Sequence, residues 1–283
     1  MKISRRNVLS SAAVAVALAM TATPSFAADL MERTKGEGLR VAFYNFVPYA
    51  YKDANDNLVG TDVETLAAVL EKMGGKIAEA KSTDWGALIP GVKAKRFDVV
   101  AAGMFVTPKR CAAVRFSEPT FGIQQAMLVA KGNPKGVMNY ETIAENGLRV
   151  GTVAGSAQTG YARSAGIADS SIMELPDNPT GVAALKAGRV DAWAVSAPGV
   201  RQIIASQDND ELESSPIFAE VAGKPAVSHG AFAFRPEDAE FVEAFNAVMK
   251  DFIGSPEHVA IMEKHGMTAD ELPINSTAEL CDG

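Results

Sequence analysis

Apolar and polar positions along this chain fall into two alternating rhythms. Leu39 to Phe43 is a short apolar run broken by one arginine, which predicts a strand. Asp62 to Met73 carries Val63, Leu66, Ala67 and Leu70 at helical spacing and predicts an amphipathic helix. Between them, Pro48 to Tyr51 and Asn55 to Gly60 hold the residues of loops and turns. A second helix is expected over Trp85 to Val92, and Phe97 to Ala101 reads as another strand. This alternation predicts a mainly parallel sheet with helices on both faces. Gln124 to Ala130 reads as a strand leaving that unit.

After Gly132-Asn133-Pro134 the rhythm restarts. A helix over Tyr140 to Glu145, a strand over Leu148 to Val153 and a helix from Ser156 are followed by a strand over Ile172 to Leu175. A helix over Pro179 to Ala187 and a strand over Ala192 to Val195 complete a second, smaller α/β unit. His229 to Phe234 predicts a strand returning to the first unit, and Asp238 to Ile253 and Pro256 to His265 predict helices that finish it. The pattern thus gives an α/β chain of two lobes, the first discontinuous (28–129 and 230–283) and the second over 130–229. Two strands cross between them, Gln124 to Ala130 and the segment before Phe234. Such an architecture has a hinge and a central cleft that can close around a ligand.

The first 27 residues read as an export signal rather than as structure. Lys2, Arg5 and Arg6 precede an apolar run from Val8 to Met20, and Ser25-Phe26-Ala27 supplies small residues for cleavage near Ala27. The run falls short of the roughly 20 apolar residues of a membrane span. Ser4-Arg5-Arg6-Asn7-Val8-Leu9 also fits a twin-arginine pattern, but basic residues open every ordinary signal, so the export route stays open. No cysteine follows the cleavage site, so a lipid anchor is not expected and a free periplasmic protein is favoured. The formal charge of −7 falls to −10 once the three basic residues of the signal are removed. Such a surface is unsuited to neutralising nucleic-acid phosphates. Cys111 and Cys281 are expected to pair in an oxidising periplasm and pin the tail to the first lobe, the alternative being two buried thiols.

The candidate chemistry gathers after the strand at Phe97. The run from Asp98 through Gly103-Met104-Phe105 to Thr107-Pro108-Lys109-Arg110 carries a glycine turn, an aromatic ring and an arginine to the strand's carboxyl end, where open α/β sheets bind ligands. An arginine fork can grip a carboxylate through two parallel hydrogen bonds; the plain alternative is a surface arginine paired with an acid on the next helix. Catalysis is not expected. The chain has no Gly-x-Ser-x-Gly, no His-Glu-x-x-His, no phosphate loop and no metal-ligand spacing, and His229, His258 and His265 fall in the hinge or the C-terminal helices. Neither a cofactor nor a metal is anticipated.

Several segments together resemble the extracytoplasmic solute-binding proteins of ABC importers, in the polar amino-acid branch. They are Pro48-Tyr49, Val59-Gly60-Thr61-Asp62-Val63-Glu64, Trp85 with Leu88-Ile89-Pro90, Gly103 to Arg110, Phe116-Ser117-Glu118-Pro119 and Ala187 to Ala192. Within that branch the chain is similar to the ectoine and hydroxyectoine receptors through Val99 to Met104, Thr107 to Cys111, Gly122 to Ala126, Gly160 to Arg163, Phe252 to His258 and Ala278 to Cys281. The resemblance implies the type II periplasmic binding protein fold, a monomer that docks on the transmembrane subunits of an ABC permease, and a small zwitterionic ligand. It places Tyr49, Trp85 and Phe105 as an aromatic box and Arg110 as the carboxylate clamp. Ring faces suit a delocalised or alkylated cation, each contributing about 0.5 to 2 kcal/mol. Against core packing stands the scarcity of aromatics, 7% of residues, with two of the three rings in expected loops.

Two positions depart from the family's pattern. Ser196 stands where amino-acid receptors place an acid for the α-ammonium, and a serine leaves such a buried charge uncompensated, so ordinary amino acids are disfavoured. Phe46 stands where the ectoine receptors carry an acid, adding an aromatic wall and making a betaine a serious competitor. In the second lobe, Gly155, Ser156 and Ala157 open a helix and are expected to offer backbone N–H groups to the ligand carboxylate. Asp177 is a candidate replacement acid, and Asp191 reads as structural. Besides a betaine or polar amino-acid receptor, a periplasmic dehydratase on the same fold remains an alternative.

Overall fold

A computed structural model describes residues 26–206 and 210–282. The expected export signal therefore lies outside the described residues, apart from Phe26 and Ala27. Helix α1 (Phe26–Lys35) leads into β1 (Leu39–Phe43), β2 (Tyr51–Lys52), β3 (Leu58–Val59), α2 (Thr61–Lys72), β4 (Ile77–Ser82), α3 (Leu88–Lys93) and β5 (Val99–Val100). Then come α4 (Pro108–Cys111), β6 (Arg115–Phe116), β7 (Phe121–Ile123) and β8 (Gln125–Ala130). A second series runs α5 (Tyr140–Glu145), β9 (Val150–Val153), α6 (Ala157–Ser164), β10 (Ile172–Leu175), α7 (Asn178–Lys186), β11 (Ala192–Ser196), α8 (Ala197–Ser206) and β12 (Leu212–Ser214). The chain closes with β13 (Glu220–Val221), β14 (Lys224–Pro225), β15 (Ser228–Gly230), β16 (Ala233–Phe234), α9 (Ala239–Phe252), α10 (Pro256–Lys264) and α11 (Thr277–Asp282).

Two five-stranded sheets make two lobes. The first has the order β4-β1-β5-β16-β6, with β1 parallel to β4 and β5, and β16 antiparallel to β5 and β6. Its core sets Leu39, Val41 and Phe43 against Leu66 and Leu70 of α2 and Phe241 and Phe245 of α9. Each such side chain contributes about 1.5 to 3 kcal/mol on burial. The second sheet has the order β10-β9-β11-β8-β12, parallel among its first three strands and antiparallel at β8 and β12. Its far side buries Met127, Val129, Tyr140, Ile143, Val150 and Ala194.

The pattern of the chain misleads at three places. The loop expected between Pro48 and Gly60 contains the hairpin β2–β3, closed because Asp53 Oδ1 accepts from the N–H groups of Asn55 (2.8 Å) and Asn57 (2.9 Å). The single strand expected over His229 to Phe234 is two strands. β15 pairs with β7 at the crossing between lobes, while Phe232 turns its N–H to Ser117 Oγ (3.1 Å) and β16 joins the first sheet. β4, half exposed along its length, carries too little apolar signal to mark a strand. The cysteines pair as expected. The Cys111–Cys281 bond, with Cα atoms 5.7 Å apart, ties α11 to α4 across 170 residues of sequence.

Candidate functional site

Both sheets turn the carboxyl ends of their parallel strands toward one cleft, the end at which open α/β sheets take ligands. From the first sheet come Tyr44 and Phe46 after β1 and Gly103 to Phe105 after β5. From the second come Gly155 and Ser156 after β9, Pro176 and Asp177 after β10, and Ser196 at the end of β11.

Gly103 is the turn on which the first side is built. Its φ of +64° suits glycine, and a side chain there would lie 2.6 Å from Cγ of Tyr49, so the tyrosine ring rests directly on the backbone. The Gly103 N–H donates to Asp62 Oδ2 at 2.6 Å. Burial pushes the Asp62 carboxyl up to about 7, partly offset by the N–H groups of Gly103 and Ala102. Beyond the turn, Thr107 caps α4 by accepting the Arg110 N–H at 3.3 Å, with Pro108 pre-set at the first helical position. Arg110 is thereby fixed at the cleft.

Phe46, Tyr49, Trp85 and Phe105 line one small cavity of about 40 Å³. Tyr44 joins them, a residue that sequence reasoning missed although it directly follows a strand end facing the cleft. The rings meet edge to face: Tyr44 with Trp85 at 5.7 Å and Phe46 with Tyr49 at 5.5 Å, while Tyr49 stacks on Phe121 at 5.0 Å. Tyr49 and Phe105 also belong to a buried cluster with Phe121, Ile123 and Met262, so they serve core and cavity together. Ala157 and Val195 close the second side with Ser156, Gln158 and Ser196, and no charged side chain lines the space.

Arg110 lies outside that cavity. It lines an adjoining, larger space of about 560 Å³ that shares Ser156 and Ala157 with the first. The aromatic box and the arginine clamp therefore occupy two adjoining compartments of the cleft. Arg110 donates to the carbonyls of Phe105 (2.9 Å) and Gly155 (3.3 Å) and sits 5.4 Å over the Trp85 ring. The surface acid of the alternative reading is absent: Arg110 has no carboxylate partner among the described residues. Burial lowers its pKa to about 10, which leaves it charged at neutral pH.

On the second side several expected roles change. Gly155 and Ser156 do not present free N–H groups, because these donate to Glu174 Oε2 (3.2 Å) and to the Val153 carbonyl (3.0 Å). The Gly155 carbonyl instead accepts from Trp85 Nε1 (3.2 Å) and Arg110. Ser156 Oγ is buried without a hydrogen-bond partner. Ser196 Oγ accepts the Gly199 N–H (3.3 Å), capping α8, and meets the Tyr49 hydroxyl at 2.8 Å. Loss of water pushes the Tyr49 hydroxyl up, the Ser196 contact opposing. Asp177 is no replacement acid for the cavity, since it caps α7 through the Thr180 N–H at 2.8 Å. Asp191 pairs with Arg149 at 3.1 Å, a structural role. Gln158, another lining residue missed in the sequence, donates to Gln125 Oε1 (3.1 Å), and Gln125 in turn donates to Ser228 Oγ (2.9 Å) at the crossing. No histidine lines either compartment.

The family model of the bacterial extracellular solute-binding proteins, family 3, matches residues 39–268. A probable amino-acid ABC transporter periplasmic-binding protein, y4tE of Sinorhizobium fredii (strain NBRC 101917 / NGR234), is 32% identical over 277 residues, covering 95% of this chain and 92% of the relative. The lysine/arginine/ornithine-binding periplasmic protein of Escherichia coli (strain K12) is 28% identical over 72% of this chain and 77% of its own length. Among solved structures, EhuB in complex with hydroxyectoine superposes with a TM-score of 0.80 at 28% identity, covering 90% of this chain and 97% of that one. An ancestral arginine-binding protein bound to arginine gives 0.70 at 28% identity over 81% and 97%. The two sheet-containing lobes are thus those of the type II periplasmic binding protein fold.

Proposed function

This chain belongs to the bacterial extracellular solute-binding proteins of family 3, and from that premise we propose that it captures a small zwitterionic compatible solute, ectoine or hydroxyectoine, for an ABC importer. By its family the protein is a solute-binding component of an ABC amino-acid importer, acting outside the cytoplasm, rather than an enzyme. On this proposal, residues 1–27 are removed at export. The lobes comprise 28–129 with 230–283 and 130–229, and the closed monomer docks on the permease.

The observation that carries the ligand class is an aromatic cavity without any charged lining, next to an arginine without a carboxylate partner. A ligand carboxylate reaching Arg110 would replace backbone carbonyls with a charged, bidentate acceptor. A delocalised ring cation would face Trp85, Phe105 and Tyr49. A free α-ammonium has no acid in the aromatic cavity, and Glu174 of the adjoining compartment already accepts from the Gly155 N–H and Arg163, which disfavours ordinary amino acids. The likeness to the hydroxyectoine complex supports the cyclic solutes. Phe46 at the wall favours a betaine as the second reading.

A thermal-shift screen of the mature protein against ectoine, hydroxyectoine, glycine betaine, proline betaine and the common amino acids, with calorimetry on each hit, tests the proposal. A ligand at a hundredfold excess over its dissociation constant stabilises the fold by about 2.7 kcal/mol. A shift with ectoine or hydroxyectoine is expected. A response to betaines alone moves the assignment to them, and a response to amino acids alone overturns it.

A further inference from the structure

Gly199 lies in the first turn of α8, three residues after the capping Ser196. Its backbone does not call for glycine, since the position is helical and glycine weakens a helix relative to alanine. The requirement comes from the opposite lobe. A methyl group on Gly199 would lie 2.6 Å from Cζ and 3.3 Å from Cε2 of Phe46, and 3.0 Å from Ser196 Oγ. Phe46 therefore seats the tip of its ring on the bare backbone of the second lobe. The loop that carries it is held by its own hydrogen bonds, Phe46 N–H to the Ala50 carbonyl (2.8 Å) and Tyr49 N–H to the Phe46 carbonyl (2.9 Å).

Direct protein contacts surround this seat. Tyr49 meets Ser196, the Tyr44 hydroxyl donates to the Pro176 carbonyl (3.2 Å), and Trp85 and Arg110 share the Gly155 carbonyl. Beside the crossing strands, Arg201 pairs with Glu271 (2.8 Å) and Gln202 Nε2 donates to the His265 carbonyl (3.1 Å). Each joins one lobe to the other without an intermediary, so each favours the closed arrangement.

We propose that Phe46 and Gly199 form a steric interlock that lets the two lobes close directly on each other without ligand, making Gly199 a closure-determining position. The inference rests on reading this cleft as the ligand site, but its test needs no ligand, so the two can fail separately. Spin labels on non-canonical residues replacing exposed Lys81 and Glu145, one on each lobe, report the inter-lobe distance in the ligand-free protein. The parent is expected to show one short distance. Gly199→Ala, a change that favours the helix itself, is expected to lengthen and broaden it, because the new methyl meets the ring. Adding Phe46→Ala to Gly199→Ala should restore the short distance. A parent already open, a Gly199→Ala distribution equal to the parent's, or a double variant as open as Gly199→Ala overturns the interlock. So does a Gly199→Ala protein that fails to fold and is not rescued by Phe46→Ala.

Discussion

The two ends of strand β5 carry the same chemistry in opposite states of completion. Just before the strand, Asp98 is fully buried and receives Arg33 (3.1 Å), Arg40 (2.9 Å) and Arg235 (3.4 Å). Burial alone would raise its pKa, but the hydrogen bonds from Arg40 and the charges of Arg33 and Arg40 hold it below the usual carboxylate range. Beyond the strand's other end, Arg110 has, among the described residues, two backbone carbonyls and an aromatic face but no carboxylate. A saturated charge cluster has nothing left to offer a solute and serves the fold. An arginine without its acid, at the ligand end of a sheet, is a group available to a carboxylate.

The largest effect should come from breaking the saturated end. Asp98→Ala leaves three arginines converging on an apolar methyl, and removing one partner of a buried ion cluster costs about 3 to 5 kcal/mol. Urea unfolding is expected to show that loss, with affinity for ectoine unchanged in the protein that remains folded. A loss below about 1 kcal/mol, the range of exposed ion pairs, would erase the contrast between the two ends. Arg110→Ala should do the reverse. Stability is expected to fall by about 1 to 2 kcal/mol, less than at Asp98, for the two hydrogen bonds to backbone carbonyls that are lost. Affinity for ectoine should fall more than about a hundredfold, or about 2.8 kcal/mol. Arg110→Lys should recover little, since an ammonium cannot reproduce the fork. Titration calorimetry checks both, and parental affinity in Arg110→Ala would remove the clamp.

That contrast was readable in the sequence at one end only. Gly103, Phe105 and Arg110 stand close together after an apolar run, so local pattern and turn chemistry place them at the cleft. Asp98 draws its partners from α1, from β1 and from the segment after β16, three elements far apart in the chain, and no local rhythm joins them. The second lobe was the less legible side for another reason. It meets the cleft through small residues and backbone groups, and whether a serine faces a ligand, a helix end or a tyrosine depends on a neighbour more than a hundred residues away, as with Tyr49 and Ser196. The lobes and most helices were legible because amphipathic spacing is local. The split of His229 to Phe234 was not, because both halves are apolar and only the change of partner strand separates them.

A smaller effect sharpens the view of the open end. Asp62 supports the Gly103 turn with its carboxyl raised to about 7 by burial, against 3.8 ordinarily. Below about pH 4 folded and unfolded chains both carry the proton. From there to about 7 the folded state keeps a proton that the unfolded state has released, so this contribution to stability declines as pH rises and is fully lost above about 7. At about 1.36 kcal/mol per unit, the decline between pH 5 and 8 is at most about 2 to 3 kcal/mol. Asp62→Asn removes it, and the difference between the two proteins' free energies of unfolding in urea is expected to narrow by that amount on going from pH 5 to 8. A difference that widens instead would mean that the Gly103 and Ala102 N–H groups outweigh burial.

The smallest effect is expected where the family places its ammonium-binding acid. Ser196 Oγ accepts the Gly199 N–H and contacts the Tyr49 hydroxyl, so its hydrogen bonds are already made within the protein. Ser196→Ala removes a helix cap and is expected to lower stability by about 1 kcal/mol. Affinity for ectoine should change less than about threefold, well under the 1.4 kcal/mol of a tenfold step. Both follow if the second lobe supplies shape to the cleft while the first supplies charge and rings. A tenfold loss of affinity with stability unchanged would reverse that division, because the hydroxyl would then act on the ligand and its bonds to Tyr49 and α8 would be incidental.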